Sequence, residues 1–88
     1  MATYRKLPVT IHAWRVADIL HWVEHDRASL PQQLRDAVGS VVFTPGGIHV
    51  HTLEGNMFAL PDDMLICGVA GELYSCKPDI FFQTYEPV

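Results

Sequence analysis

His21 and His25 sit four residues apart in the stretch HWVEH, with Glu24 between them. H-x-x-E-H is the spacing of a zinc-binding helix in one class of metallopeptidases. That chemistry needs two imidazoles on one helical face and a carboxylate near a metal-bound water. Residues i and i+4 do share a face. At about 100° per residue, however, Val16, Ile19, Leu20 and Val23 form the apolar stripe of the same segment. The stripe must cover a core, which turns His21 and His25 toward solvent. A catalytic metal also needs a walled cavity and, as a rule, a third protein ligand. The pair therefore reads as a solvated helix face, with no metal site.

His49 and His51 form a second pair, in HVH. Alternate residues of a strand point to one side, so both imidazoles could flank one metal ion or, when protonated, an anion. No third ligand is evident in the sequence, and a polar strand face opposite Ile48 and Val50 is the simpler account. Asp62-Asp63 is a paired carboxylate between two apolar runs. Buried, it could bind a cation or serve acid–base chemistry; in a turn it is solvated. Cys67 and Cys76 are too few for a zinc ribbon or a disulfide framework. With Ala70-Gly71 as a two-residue turn, Cys67 would face Tyr74 and lie diagonal to Cys76, a long span for a disulfide. No serine or cysteine sits in a nucleophile elbow, and no glycine-rich phosphate loop is present. The expectation is a non-enzymatic protein without a cofactor.

The elements that must position these residues follow from pattern and punctuation. The 88 residues make one domain, 1–88, and 49% of them are hydrophobic, which suits a single modest core. A strand follows Pro8, alternating on Val9, Ile11 and Ala13. The next segment, ADILHWVEHDR, has helical spacing, with Asp18 as its N-cap. A second short helix is read in SLPQQLRDAVG. Ser29 and Gln32 have capping-box spacing there, Pro31 fits the first turn, and Gly39 fits the end. Leu30, Leu34 and Val38 would be its buried stripe. From Ser40 onward short apolar runs are cut by turn residues at Pro45-Gly46-Gly47, Glu54-Gly55, Ala70-Gly71 and Pro78-Asp79. The fold class is therefore α+β: an N-terminal strand, one or two short helices, then a mainly antiparallel meander of about five strands. Its last run, IFFQTY, reads as a strand, and the sheet is expected to curl toward a partial barrel.

Charge and segments narrow the partners. The formal charge is −4, and the only adjacent cations are Arg5 and Lys6. Without a basic stripe, direct nucleic-acid binding is not expected. No apolar run approaches the roughly 20 residues of a membrane span, and the start lacks a signal-peptide pattern. A cytoplasmic location is the expectation, and there both cysteines stay reduced.

The stretch HTLEGNMFALPDDMLICGVAGELYSCKPDIFFQTYEPV resembles a family of small phage and prophage proteins. Their signature is a Pro-Gly-Asp-Tyr-type motif followed by a KGVKGEFYPCKPDIFEKTYEPV-like tail. The opening YRKLPVTIHAW is similar to that family's YRKKPV-IEA-QW strand. Residues from about Val16 to Ser40 lie outside the pattern. Where the motif has Gly-Asp-Tyr this chain has Asp62, Asp63 and Met64, and a lysine of the motif is Cys67. The resemblance implies an accessory protein acting in the cytoplasm of a bacterial host.

Taken together, the expectation is a non-catalytic binding protein that acts on a host or phage protein, with a defence component among the candidate targets. An acidic protein of this size can cap a basic surface. A sponge for a small nucleotide signal is the alternative, and a metal-dependent enzyme using His49, His51 and Asp63 is the third reading. Tyr74, Phe81, Phe82 and Tyr85 are many aromatics for one small core face, so some are expected to line a groove or an interface. A homodimer is expected through the strand Ile80 to Tyr85, because an exposed edge templates pairing with a twin.

Overall fold

The computed structural model describes residues 2–5, 7–37, 39–52 and 55–88. Pro8 and the β-branched residues Val9, Thr10 and Ile11 favour extended backbone, and pairing begins at β1 (His12–Arg15). There follow α1 (Val16–His25), one 3₁₀ turn (Arg27–Ser29) and the four-residue α2 (Gln32–Arg35). The strands β2 (Val41–Thr44), β3 (Gly47–Thr52), β4 (Gly55–Ala59), β5 (Met64–Cys67) and β6 (Leu73–Cys76) come next, and α3 (Pro78–Thr84) closes the chain. The fold is α+β, with six strands among the described residues in two three-stranded antiparallel sheets. One sheet has the order β1-β5-β6 and the other β2-β3-β4, and among the described residues no barrel closes.

Strand alternation sorts the side chains between two cores. The inner face of β2-β3-β4 carries Val41, Ile48, Val50 and Ala59. These pack with Val16 and Ile19 of α1 and with Leu30 and Leu34 around α2. Leu65, Cys67 and Leu73 close the same core from the other sheet. The opposite face of that second sheet turns Met64 and Ile66 toward Phe81 of α3. All four residues of β5 are therefore buried, and the strand reads as a continuous apolar run rather than an alternation. The α1 stripe falls where expected, with Val16 and Ile19 buried, and His21 and His25 are exposed.

Several local expectations are corrected. Asp18 is not the N-cap of α1; Arg15 holds that position, and Asp18 lies in the first turn. The first N–H groups are satisfied instead by main-chain carbonyls: Val16 N–H donates to Asp63 O and Ala17 N–H to Pro61 O, both at 2.9 Å. The second helix shrinks to α2 because Pro31 holds the N-cap position, with extended backbone. The capping box does not form. Ser29 Oγ donates to Asp26 Oδ2 at 2.6 Å, and Gln32 Nε2 donates to Asp36 Oδ1 at 2.7 Å. Val38, assigned to the stripe of that helix, and Glu54, assigned to a turn, lie outside the described residues.

The turn after β5 is also longer than two residues. Gly68 N–H donates to Glu72 O at 2.8 Å, so Cys67 pairs with Leu73, and Cys76 pairs with Met64. The two free thiols thus occupy opposite faces of the sheet rather than diagonal places on one face.

The largest correction is the C-terminal run. Pro78 at the start and Asp79 in the first turn begin α3 rather than a turn before a strand. Phe81 and Tyr85, four apart, then share one face, with rings 5.1 Å apart. Phe81 is buried and Phe82 is 57% exposed. No edge strand exists at Ile80 to Tyr85 for a twin to pair with, so the basis of that dimer is removed.

Gly47 shows how tightly the first sheet is drawn. A Cβ there would meet Ala59 O and the Phe58 ring. Gly47→Ala is expected to destabilise the fold by about 1–3 kcal/mol, the usual cost of an extra methyl in a packed site. Gly46→Ala, with open space around it, should stay within about 0.5 kcal/mol. Urea unfolding of both variants checks this, and equal midpoints would contradict it.

Candidate functional site

A groove of about 630 Å³ opens where the end of α2 meets β3, β4 and the start of β6. Its walls are built by chain reversals. Gly39 adopts φ +94°, and Ser40 N–H donates to Ala37 O at 2.8 Å. His51 N–H donates to Ser40 O at 2.8 Å, tying this turn to β3. The two sheets are joined beneath by Met57 of β4. Its Sδ accepts from Ser75 N–H at 3.2 Å and from Ser75 Oγ at 3.4 Å. A main-chain donor on the edge strand β6 is thereby satisfied by a side chain of the other sheet.

The groove has an apolar floor and an acidic rim. Ala37, Met57 and Leu73 line it, and Asp36 and Glu72 stand beside them, both exposed. Glu72 is held by Ala70 N–H, which donates to its Oε2 at 3.0 Å. Its placement depends on Gly68, because a Cβ there would fall on the Glu72 carboxylate. The Cys67 thiol is pushed up from its ordinary value by burial and then by the Glu72 charge. No lysine or arginine is among the described residues lining the groove.

Of the residues singled out in the sequence, His51 and Tyr74 line this groove. The His51 ring Nδ1 and Asn56 Oδ1 are hydrogen-bonded at 2.8 Å. His49 shares the outward face of β3 with His51, but its ring rests on Phe58 at 4.5 Å, outside the groove. Asp62 and Asp63 are separated by burial. Asp62 is exposed on the turn, and Asp63 is 4% exposed. Asp63 Oδ2 accepts from Leu60 N–H at 2.9 Å, and Oδ1 accepts from Lys77 Nζ at 3.0 Å. Phe81, Phe82 and Tyr85 line a second hollow of about 260 Å³ with Val9 to Ile11 and the C-terminal residues. The Tyr74 and Tyr85 hydroxyls meet at 3.4 Å. Among the described residues, no three His, Cys, Asp or Glu side chains are grouped to hold a metal ion.

Asp36, Met57 and Glu72 were not found by sequence reasoning. Each looks ordinary in its own segment, and only the meeting of α2, β4 and β6 brings them together. Comparison with known protein families, curated proteins and solved structures returns no match.

Two outcomes follow from this geometry. Asp63→Ala strands the Leu60 N–H and should destabilise the fold by about 1–3 kcal/mol. Asp63→Asn keeps an oxygen acceptor and should cost less; equal losses in denaturant unfolding would show that only the charge matters. Tyr74 is pushed up from 10.0 to about 12 by burial and then by its bond to Tyr85. Its proton is held more tightly in the folded chain. The associated stability is full below pH 10 and is lost as pH rises toward about 12. A phenolate absorbance titration should show one late step near that pH, moved lower by Tyr85→Phe.

Proposed function

We propose that this chain is a non-catalytic binding module whose groove takes a segment of a partner protein bearing a cation beside an apolar side chain. The observation that carries this reading is the pairing of the apolar floor at Ala37, Met57 and Leu73 with the Asp36 and Glu72 carboxylates. A rim charge steers and selects, while the floor supplies burial. The net charge of −4 acts in the same sense over longer range. The similarity of both ends of the chain to small phage and prophage proteins supports an accessory role inside a bacterium, directed at a host or phage protein. A defence component is one such target.

A nucleotide-signal sponge is the second reading. The groove volume lies within the usual range for small-molecule sites, and His51 and Tyr74 could contact a base. Two carboxylates on the rim oppose its phosphates, which is why the protein-segment reading is preferred. No helix among the described residues is long and apolar enough to cross a membrane.

The test is a fluorescence-anisotropy screen of short labelled peptides that vary in charge and apolar content. Binding is expected only for peptides with Lys or Arg next to an apolar residue. The double variant Asp36→Asn/Glu72→Gln should weaken it by at least about tenfold, and raised salt should weaken it further. Equal binding by wild type and double variant, or tighter binding of cyclic dinucleotides than of any cationic peptide, would overturn the reading.

A further inference from the structure

We propose that the groove is occupied by the N-terminal arm of a second copy of this chain, exchanged reciprocally in a two-fold dimer. This deepens the binding-module reading and rests on it. The arm precedes β1 and has no regular structure in its described residues. Tyr4 is 90% exposed and Leu7 78% exposed, so two large apolar side chains lack cover. Between them in sequence stand Arg5 and Lys6, the only adjacent cations in the protein. Two of the other four cations are engaged within the fold. Arg35 donates to the carbonyl oxygens of Arg27, Ala28 and Leu30, and Lys77 donates to Asp63. The arm therefore carries the cation-plus-apolar chemistry that the Asp36–Glu72 rim and its floor complement.

Geometry favours exchange over folding back. His12, Cys67 and Leu73 lie in one row across β1, β5 and β6. The arm thus leaves its sheet at the end where Leu73 and Glu72 enter the groove, about 10 Å away across two strand spacings. To reach its own groove it would have to reverse sharply between Leu7 and His12. That stretch resists reversal. Pro8 fixes its own φ and drives Leu7 to extended backbone, and Val9, Thr10 and Ile11 are β-branched or adjacent to the paired strand. Val9 to Ile11 also line the hollow beside Phe81 and Tyr85, which holds the arm's base on the far side of the sheet. The segment from Tyr4 to Ile11 can span up to about 26 Å when extended. Because the arm base and the groove mouth lie at one end of the sheet, a two-fold axis there lets each copy fill the other's groove.

Light scattering across a concentration series of the full chain tests this. A monomer is expected at low concentration and a doubled mass at high concentration, shifted toward monomer by salt. Arg5→Glu/Lys6→Glu should be monomeric, as should Asp36→Lys/Glu72→Lys, and mixing the two should restore a one-to-one dimer. Tyr4→Ala/Leu7→Ala, which alters only exposed arm residues, should also weaken the dimer and guards against misfolding of the groove variant. A wild type that stays monomeric throughout, a dimer indifferent to these variants, or no dimer on mixing would each overturn the proposal. If cationic peptides still bind the groove in that event, the binding-module reading survives without the arm; if neither arm nor peptides bind, both fail.

Discussion

The buried carboxylate of Asp63 joins three parts of the chain that otherwise have little reason to meet. One oxygen accepts the Leu60 N–H and closes the turn after β4. The other accepts from Lys77, the residue that leads into α3. The carbonyl of the same residue accepts from Val16 N–H at the start of α1. A carboxylate removed from water must be hydrogen-bonded and paired to be tolerated. Satisfying this one group therefore fixes the exit of the first sheet and the beginnings of two helices. It also explains how α1 begins without a side-chain cap. Its first donors point into a turn whose carbonyls are held in place by Asp63.

From that anchor β5 runs directly between the two cores. A central strand covered on both sides has no polar face to spare, and Met64, Leu65, Ile66 and Cys67 are all buried. Leu65 and Cys67 face the core shared with α1 and the first sheet, whereas Met64 and Ile66 face α3. This arrangement assigns α3 its role. Without a helix on the outer face, half of β5 would be exposed to water. Burial of Phe81 against Met64 and Ile66 is the return for ordering the C-terminal segment.

Much of the architecture was legible because its signals are local. The turn at Pro45-Gly46-Gly47 and the apolar stripe of α1 need no knowledge of distant residues. The C-terminal run was misread because two apolar neighbours, Phe81 and Phe82, look alike in a strand or a helix over so few residues. The deciding signals were Pro78 and Asp79, which suit a first helical turn, and the four-residue spacing of Phe81 and Tyr85. The candidate site was legible only in part. His51 and Tyr74 could be singled out as unusual residue types, whereas Asp36 and Glu72 depend on long-range packing that no local pattern encodes. Asp63 presented the converse difficulty. Its sequence neighbourhood suggests a solvated pair, and only the register of β1 on β5 and the approach of Lys77 bury one member.

The groove itself is a consequence of a helix that stops early. Had the stretch 29–39 formed one continuous helix, its apolar face would have extended over more of the adjoining sheet. Pro31 takes the N-cap position, Ser29 turns back to Asp26, and the chain reverses at Gly39, so α2 has a single turn. Arg35 then folds back on the carbonyls of Arg27, Ala28 and Leu30 in the short turns before it, rather than reaching across the sheet. Met57 and Leu73 are left at the base of an open cleft, with Asp36 and Glu72 as the carboxylates among its described lining residues. A chain of 88 residues has too little length to cover all of its apolar surface. Here part of that surface lies in one concave place, and the acidic side chains among its described lining residues, Asp36 and Glu72, give its rim a single sign of charge. That distribution makes the cleft selective in what it can accept, because an apolar occupant without a cation leaves the rim carboxylates partly desolvated and without a counter-charge, and a cation without an apolar group leaves the floor wet.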